Sequence, residues 1–462
     1  MISDPDVLGL LYLVSIVCFV LALRFLSSPK HARRGNWLGG VGMIVAIATT
    51  LAVDGISNWA LIVVAAAIGS VVGLVGARKV KMTAMPQMVA LFNGVGGGAA
   101  ALVALAEFHE HDGILTWDEG LSISLSALIG SISFAGSLVA FAKLQELVSG
   151  RPIVFAGQNV VNVVVLGGAA ALGVAIVAGL EAQWAIVAVI LLALVFGVMF
   201  VLPIGGADMP VVISLLNAFT GLAASATGFV LDSTVLIVAG MLVGASGTLL
   251  TLLMAKAMNR SIANVLFGAF GQVQAGAGQA RVDDGRTVRA TSADDVAVQL
   301  SFARKVVVVP GYGMAVAQAQ HDVRQLADVL EEKGVEVKYA IHPVAGRMPG
   351  HMNVLLAEAN VPYTQLFEMD EINPEFPQTD VALVIGANDV TNPAARSDPG
   401  SPIYGMPILD VDKAASTVVM KRSMNPGFAG IDNDLYLDPK TTMLFGDAKE
   451  SVLKLITAVK SA

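Results

Sequence analysis

The fold of the C-terminal part of the chain is decided by residues 306–316, which read VVVVPGYGMAV. The four valines predict a buried strand, and a Gly-rich turn follows them directly. At such a turn, glycines let backbone amides approach a pyrophosphate, and the next helix offers its positive N-terminal end to the same charge. Val316 stands where a third glycine would be, so the turn taken alone is a weak signal.

Residues 293–462 alternate strand and helix signals. Ser292 followed by Asp295 predicts a capped helix that runs to Arg304. The predicted strands lie near residues 305–309, 335–341, 364–369, 381–385, 416–421 and 442–445, and a last helix lies near 447–460. This alternation predicts an α/β domain with a doubly wound parallel sheet, which is a Rossmann-like fold.

The composition of the whole chain differs from that of soluble proteins, and the difference is concentrated in its first part. The 462 residues are 55% hydrophobic and 14% charged, and the charged residues are sparse up to about Arg260. Nine apolar stretches of roughly 18 to 25 residues could each cross about 30 Å of hydrocarbon as a helix. They lie near residues 7–26, 36–53, 58–77, 83–106, 121–142, 160–179, 183–202, 208–230 and 233–257.

Three regions are therefore predicted. Residues 1–260 form a multi-pass α-helical membrane bundle of about nine spans, because the alternation typical of a membrane barrel is absent. Residues 261–292 are a linker rich in Gly, Gln and Asp. Residues 293–462 are the Rossmann-like domain.

The loops between the spans predict the orientation of the bundle. Lys and Arg occur only in alternate loops, which is the pattern of cytoplasmic loops. The basic loops carry Lys30, Arg33, Arg34, Arg78, Lys79, Lys81, Lys143, Arg151, Lys256 and Arg260. We therefore expect the N-terminus outside and, after an odd number of crossings, the C-terminal domain in the cytoplasm.

Charge and cysteine content exclude other classes. The net charge of −8 gives no basic surface for nucleic acid. Cys18 is the only cysteine, so no intrachain disulfide is possible, and no metal site is predicted.

Polar residues at membrane depth are candidates for an ion or proton path, because they are costly in lipid. The candidates are Asn93, Asp208, Asn217, Gln158, Asn159 and Asn162. Asn93 and Asn217 could equally hold helices together through hydrogen bonds. Asp208 could equally be the N-cap of a helix that carries Pro210 in its first turn.

Three features favour NADP over NAD as the nucleotide. The second strand ends at Ile341-His342 and lacks the acidic residue that binds the ribose hydroxyl of NAD. Lys421-Arg422-Ser423 ends a late strand, where a cationic pair could hold a 2′-phosphate. Arg347 stands near a helix N-terminus. A solvated strand end remains the alternative for the cationic pair.

Several motifs in one order resemble the beta subunit family of the bacterial proton-translocating nicotinamide nucleotide transhydrogenases. The resemblance covers essentially the whole chain. Its markers are residues 205–212 (GGADMPVV), 310–320 (PGYGMAVAQAQ), 342–347 (HPVAGR), 349–356 (PGHMNVLL), 386–389 (GAND) and 421–425 (KRSMN). It implies an oxidoreductase and translocase in which hydride passes between NADH and NADP⁺ while a proton crosses the membrane.

The resemblance also implies site residues and partners. The nucleotide-binding residues would be Gly311, Tyr312, Gly313, Met314, Ala315, Val316, Arg347, Gly386, Ala387, Asn388, Asp389, Lys421, Arg422, Ser423, Gly427, Ala429 and Gly430. Residues 425–430 resemble a lid, and Asp389 is similar to an acidic residue linked to nucleotide affinity and proton coupling. This chain would bind NADP(H), and an alpha subunit would bind NAD(H), in a dimer of protomers in the bacterial inner membrane.

Asn93 departs from the family pattern, because well-known members carry a His at this place in the fourth span. Asparagine does not titrate, so it cannot carry the proton. We therefore expect a separate small membrane subunit to carry a titratable His, with Asn93 and Asn217 lining the path.

The chemistry needs no catalytic side chain, because hydride transfer belongs to the cofactors. The coupling candidates are Asp389, Asp208, Asn93 and Asn217. The alternative function is an ion channel or transporter gated by a nucleotide-sensing Rossmann domain, although the one Gly-Tyr-Gly lies outside the spans. A membrane-anchored reductase would need one span and not nine.

Overall fold

The computed structural model describes residues 4–28, 30–53, 56–111, 115–149, 152–205, 208–258, 262, 287–348, 350–401, 403–427 and 429–462. The chain divides into two units, residues 1–206 with 211–251 and residues 207–210 with 252–462. Most of the predicted linker 261–292 lies outside the described residues.

The first unit is helical. Its helices are α1 (Pro5–Leu26), α2 (Ala32–Leu51), α3 (Trp59–Lys79), α4 (Met85–Glu110), α5 (Trp117–Leu144), α6 (Gln158–Val177), α7 (Gln183–Val201), α8 (Met209–Val230) and α9 (Thr234–Ala257). Each coincides with one of the nine predicted spans. Among the described residues, eight of them are long and apolar enough to cross a membrane. The remaining helix, α2, begins Ala32-Arg33-Arg34 and is less apolar.

Small residues bring the central helices of the bundle into backbone contact. A Cβ on Gly130 of α5 would lie 2.6 Å from the carbonyl oxygen of Gly97 on α4. A Cβ on Gly197 of α7 would lie 2.6 Å from the carbonyl oxygen of Ile132 on α5. Because lipid gives no hydrophobic drive for association, such close approach supplies the van der Waals contact that holds membrane helices together.

Helix α3 differs from the central helices, because none of its residues is buried. Gly69 and Gly73 are four residues apart on α3, and a Cβ at either would meet no atom within 4 Å. Within the described chain, Gly69 and Gly73 are therefore not explained by close packing.

The second unit contains one parallel sheet. Its strands are β1 (Lys305–Pro310), β2 (Glu336–Ile341), β3 (Leu366–Glu368), β4 (Val381–Ile385), β5 (Ser416–Lys421) and β6 (Thr441–Phe445). Their order is β3-β2-β1-β4-β5-β6, and every neighbouring pair is parallel. The predicted doubly wound sheet is thus confirmed, and β3 is shorter than the predicted strand 364–369.

Helices surround this sheet. They are α10 (Ala293–Phe302), α11 (Tyr312–Val316), α12 (Gln320–Glu332), α13 (His351–Glu358), α14 (Met369–Ile372), α15 (Ala394–Ser397) and α16 (Ala448–Ser461). The central strands are buried on both faces, as the valine run predicts. The last residues of the predicted linker lie on the edge of the sheet, because Met443 N donates to Arg289 O (2.7 Å) and Thr291 N donates to Met443 O (2.9 Å).

We expect Gly130→Leu to destabilise the bundle, because the larger side chain would push α5 away from the backbone of α4. Overpacking of this kind costs on the order of 1–3 kcal/mol. The measurement is the thermal unfolding midpoint of the full chain in detergent. Gly69→Leu on α3 is the matched control and should leave the midpoint nearly unchanged; equal effects of the two substitutions would contradict the packing argument.

Candidate functional site

The predicted nucleotide-binding residues lie in loops that follow β1, β2, β4 and β5. Because all these strands are parallel, their carboxyl ends lie along one edge of the sheet. The strand order reverses between β1 and β4, and ligands of open α/β sheets bind at such a reversal. The loops after β1 and β4 therefore form the centre of the candidate site.

Three glycines press these two loops together. Gly311 N donates to Ile385 O (2.9 Å), and Gly313 N donates to Gly386 O (3.0 Å). A Cβ on Gly311 would overlap the backbone of Gly386 and Ala387, and one on Gly313 would lie 2.7 Å from Gly386 Cα. Gly386 itself has φ +67°, which favours glycine. The contact between the two loops therefore requires glycine at 311 and 313, apart from any requirement of a bound ligand.

The helix after this turn is short. Helix α11 spans five residues, with Gly311 at its N-cap and Ala317 at its C-cap. Gln318 then takes a left-handed conformation, with φ +52°, before α12 begins at Gln320. Met314 and Ala315 are buried, whereas Val316 is 44% exposed. Val316, at the position of the missing third glycine, thus points away from the core.

The loop after β2 brings Arg347 to the Gly-rich turn. The guanidinium carbon of Arg347 lies 4.4 Å from the centre of the Tyr312 ring, which is a cation–π geometry. Gly346 has φ +107°, and a Cβ there would lie 2.6 Å from His351. The predicted proximity of Arg347 to a helix N-terminus agrees with the start of α13 at His351.

His351 is buried behind this loop. Its Nδ1 accepts a hydrogen bond from Arg347 N (3.0 Å), so the neutral ring carries its proton on Nε2. Burial and the charge of Arg347 lower the pKa of His351 to about 4. Within the described residues, Nε2 has no hydrogen-bond partner.

His342 occupies the end of β2, where an NAD-binding fold has an acidic residue. Its Nδ1 accepts from Val344 N (3.2 Å), so its Nε2 donates to Pro407 O at 2.9 Å. Burial lowers the pKa of His342 to about 4. The end of β2 therefore offers a neutral, fully buried ring and no carboxylate.

Asp389 lies in the loop after β4 and holds the predicted lid. Its Oδ2 accepts a hydrogen bond from Ala429 N (3.0 Å). A Cβ on Gly427 would lie 2.6 Å from Asp389 Oδ1 and 2.5 Å from Asn388 Nδ2. Gly430 has φ +71°. Gly427 and Ala429 of the predicted lid thus contact the loop after β4, whereas Phe428 lies outside the described residues.

Lys421 is the half-buried member of the predicted cationic pair, whereas Arg422 and Ser423 are exposed. Its Nζ donates to Asn425 O (2.6 Å) and lies 4.9 Å from the centre of the Tyr436 ring. Burial lowers the pKa of Lys421. A cavity of about 260 Å³ opens beside it, lined by Lys421, Met424, Pro426, Asp432, Asn433, Tyr436 and Leu437.

Three residues that the sequence did not single out tie these loops together. Asn433 Nδ2 donates to Asn388 O (3.0 Å), and Asn392 Nδ2 donates to Asp432 O (2.9 Å). The hydroxyl of Tyr436 lies 2.7 Å from the side-chain amide of Asn388. No motif marks Asn392, Asn433 or Tyr436, so the sequence held no signal for them.

The membrane unit contains a separate polar cluster between α4, α5 and α8. Asn93 Nδ2 donates to Ser137 Oγ (2.9 Å) and Ser133 Oγ (3.3 Å). Ser133 Oγ lies 2.5 Å from Thr220 Oγ1. Farther along the same two helices, Ser126 Oγ lies 2.7 Å from Thr227 Oγ1. The hydroxyl residues of this cluster were not predicted from the sequence.

The other membrane candidates lie outside this cluster. Asn217 is exposed on α8, so it does not meet Asn93 within the described chain. Asp208 directly precedes the first residue of α8, Met209, which is the N-cap position. Gln158 Nε2 donates to Met199 O (3.1 Å), and Asn162 is buried, whereas Asn159 is exposed.

A comparison of sequences agrees with two features of the structure, namely the glycine contact at the reversal of the strand order and the bundle of membrane-length helices. The chain matches the family described as "NAD(P) transhydrogenase beta subunit" over residues 8–458. The chain belongs to this family. It is 51% identical to "NAD(P) transhydrogenase subunit beta" of Rhodospirillum rubrum over 455 residues, which cover 97% of the chain and 98% of the relative. The protein of the same name from strain ATCC 11170 of that species matches equally.

Membership of the transhydrogenase beta subunit family confirms the resemblance seen in the motifs. It makes the chain an integral membrane protein that binds a nicotinamide nucleotide, and a beta subunit implies an alpha subunit as its partner.

The buried histidines predict how the soluble domain responds to acid. Because the pKa of His342 is about 4 when folded and 6.5 ordinarily, its stabilising contribution is complete above pH 6.5 and is lost as the pH falls to about 4. The loss is on the order of 3 kcal/mol, and His351 adds a similar effect. We expect His342→Gln, which keeps a donor for Pro407 O, to make this loss less steep. Scanning calorimetry of the soluble domain's transition between pH about 7 and about 4.5 measures it.

Exposed His321 provides the control for that measurement. His321→Gln should leave the acid dependence as it is in the wild type. An unchanged dependence in His342→Gln would contradict the assignment of a neutral buried ring.

Proposed function

We propose that the chain is the NADP(H)-binding and proton-conducting subunit of a transhydrogenase that transfers hydride between NADH and NADP⁺. Transfer is coupled to proton translocation across the membrane. The observation that carries this proposal is the glycine cradle at the switch point of the sheet, closed by Asp389 and flanked by Lys421. Family membership supports the reaction type.

The residues at the edge of the sheet fit a dinucleotide. Gly311, Gly313 and Gly386 bring the loops after β1 and β4 into contact, and their own amides bond within the protein, so they shape the turn beside which a pyrophosphate would lie. Arg347 and the buried Nε2–H of His351 would add a charge and a donor nearby. We propose that Tyr312, Met314, Ala315 and Val316 complete the turn, and that Ala387, Asn388, Ala429 and Gly430 line the closed segment.

The preference for NADP rests on charge. The end of β2 carries the neutral ring of His342. A carboxylate at this position would repel the added phosphate of NADP. Lys421 and Arg422, with Ser423 beside them, would hold the 2′-phosphate. The neighbouring cavity of about 260 Å³ is smaller than a typical ligand pocket, so it would take a part of the nucleotide and not the whole.

The hydride chemistry is supplied by the nucleotides when they are bound. The task of this chain is then to hold NADP(H) and exclude water while the alpha subunit presents NAD(H). The segment 425–430, held by Asp389, is the part that would close over the nucleotide.

The polar cluster in the membrane unit supports a proton path along α4, α5 and α8. Hydroxyls can pass a proton along hydrogen bonds and the Asn93 amide can orient them, but none of Asn93, Ser133, Ser137 or Thr220 titrates near neutral pH. Asn217 faces outward at membrane depth, where an amide is costly in lipid. We propose that a separate small membrane subunit with a titratable His packs against this face.

The remaining parts of the proposal concern placement and coupling. The alternating basic loops support an N-terminus outside and a cytoplasmic C-terminal domain, in the inner membrane of a bacterium. We propose a dimer of protomers as the assembly. Protonation in the bundle would shift the soluble domain between states that bind and release nucleotide, because coupling requires such differential affinity. Asp208 and Asp389 are the charged candidates for this step.

Reconstitution tests the proposed division of labour. In membranes that hold this chain together with an NAD(H)-binding alpha subunit and the small membrane subunit, NADH should reduce an NADP analogue and protons should cross. Without the alpha subunit we expect no hydride transfer, and without the small subunit no proton movement. Redox turnover or proton translocation by this chain alone would refute the scheme.

Replacement of Asp389 by Asn tests the coupling role. The amide is a weaker acceptor than the carboxylate for Ala429 N, so the closed segment should open more readily. We expect faster NADPH release, about five- to tenfold, together with impaired proton translocation. Asp294→Asn, at an exposed residue of α10, is the matched control. Unchanged values for both quantities in Asp389→Asn would remove Asp389 from the scheme.

A further inference from the structure

Tyr436 lies near the segment 425–430 and contacts two candidate nucleotide-binding residues, Asn388 and Lys421. It is only 2% exposed. Its hydroxyl lies 2.7 Å from the side-chain amide of Asn388, and its ring lies 4.9 Å from Lys421 Nζ. Both Asn388 and Lys421 border the segment 425–430 that Asp389 holds down.

The hydroxyl of Tyr436 stays protonated at physiological pH, because burial raises the pKa of Tyr436. A protonated hydroxyl can donate one hydrogen bond and accept others. It can therefore bond to Asn388 whichever way the amide of Asn388 is turned.

The orientation of the Asn388 amide decides whether its side chain bonds to Gly427 N and Lys421 Nζ. When the amide oxygen faces away from Tyr436, it lies 2.6 Å from Gly427 N and 3.3 Å from Lys421 Nζ, while the amide nitrogen donates to the Tyr436 hydroxyl at 2.7 Å. When the oxygen faces Tyr436, the amide nitrogen instead points at Gly427 N and Lys421 Nζ, which are both donors. Asp389 bonds to Ala429 N in either case, but only in the first orientation does the Asn388 side chain also bond to the segment after β5.

Asn433 competes for the same amide. Its Nδ2 lies 3.1 Å from the Asn388 side chain and also donates to Asn388 O (3.0 Å). As a donor, Asn433 attracts the amide oxygen and so opposes the closing orientation. The Tyr436 hydroxyl can accept a hydrogen bond from the amide nitrogen of Asn388. It therefore stabilises the orientation in which that nitrogen faces Tyr436.

We propose that Tyr436 is a positioning residue for nucleotide retention, which acts by holding the Asn388 amide with its oxygen towards Gly427 and Lys421. The proposal rests on the proposed function, because it assumes that NADP(H) binds under the segment 425–430. Tyr436 itself need not touch the nucleotide. Tyr436 affects the time for which the closed segment retains the nucleotide.

The test is the rate of NADPH dissociation from the full chain in detergent, followed by the fluorescence of the bound nucleotide. Tyr436→Phe keeps the ring and removes only the hydroxyl, so Lys421 keeps its aromatic contact. Loss of one hydrogen bond should speed dissociation about two- to tenfold. The unfolding midpoint and the association rate should change little. Tyr363→Phe, at an exposed tyrosine of the same domain, is the control and should release NADPH as the wild type does.

A double-mutant cycle with Asn388→Ala separates positioning from a general structural effect. If Tyr436 acts through Asn388, the double variant should release NADPH no faster than Asn388→Ala alone. Multiplied effects in the double variant, or wild-type release from Tyr436→Phe, would overturn the proposal. A wild-type chain that binds NADPH no better than NADH would instead overturn the proposed NADP(H) site, an outcome that these variants cannot produce.

Discussion

The backbone contact between the loops after β1 and β4 is the constraint on which the soluble domain depends. Gly311 and Gly313 meet Gly386 so closely that no side chain fits at any of the three positions. The contact aligns the carboxyl ends of the two central strands at the switch point. Asn388 and Asp389 then follow Gly386 within three residues, and their side chains reach the segment after β5. One steric requirement thus places the cradle and the closing groups together.

The membrane unit applies the same principle in a different solvent. Gly97, Gly130 and Gly197 let α4, α5 and α7 approach until backbone meets backbone. Helices this close leave room only for small polar side chains between them. On the side of α4 and α5 that meets α8, the small polar side chains of Ser133, Ser137 and Thr220 lie between the helices, and their hydroxyls bond to one another or to Asn93. Close packing and the polar cluster between α4, α5 and α8 are therefore both results of small residues at the helix contacts.

Local patterns in the sequence were enough to predict the elements but not the contacts between distant ones. The valine run of β1, the apolar lengths of the spans and the glycines of the first turn each carry their signal within a few residues. The partner of Gly313 is Gly386, and the partner of Tyr436 is Asn388, so both pairs are joined only by the fold. The sequence placed Asn93 and Asn217 on one path, whereas the direction in which Asn217 points depends on how α8 rotates against α4 and α5. The break after α11 was also beyond local pattern, because Gln318 is not a residue that usually takes a left-handed conformation.

The outward amide of Asn217 has a consequence for biogenesis. A chain inserted without a neighbour on that face of α8 exposes the Asn217 amide to hydrocarbon. The free-energy cost of such exposure lies between about half a kcal/mol and several kcal/mol. In the proposed complex a neighbouring subunit on that face would remove this penalty, so a chain without that neighbour would be the less stable species. Under that proposal, membrane proteases that remove the less stable, unassembled chain would set the ratio in which the subunits accumulate.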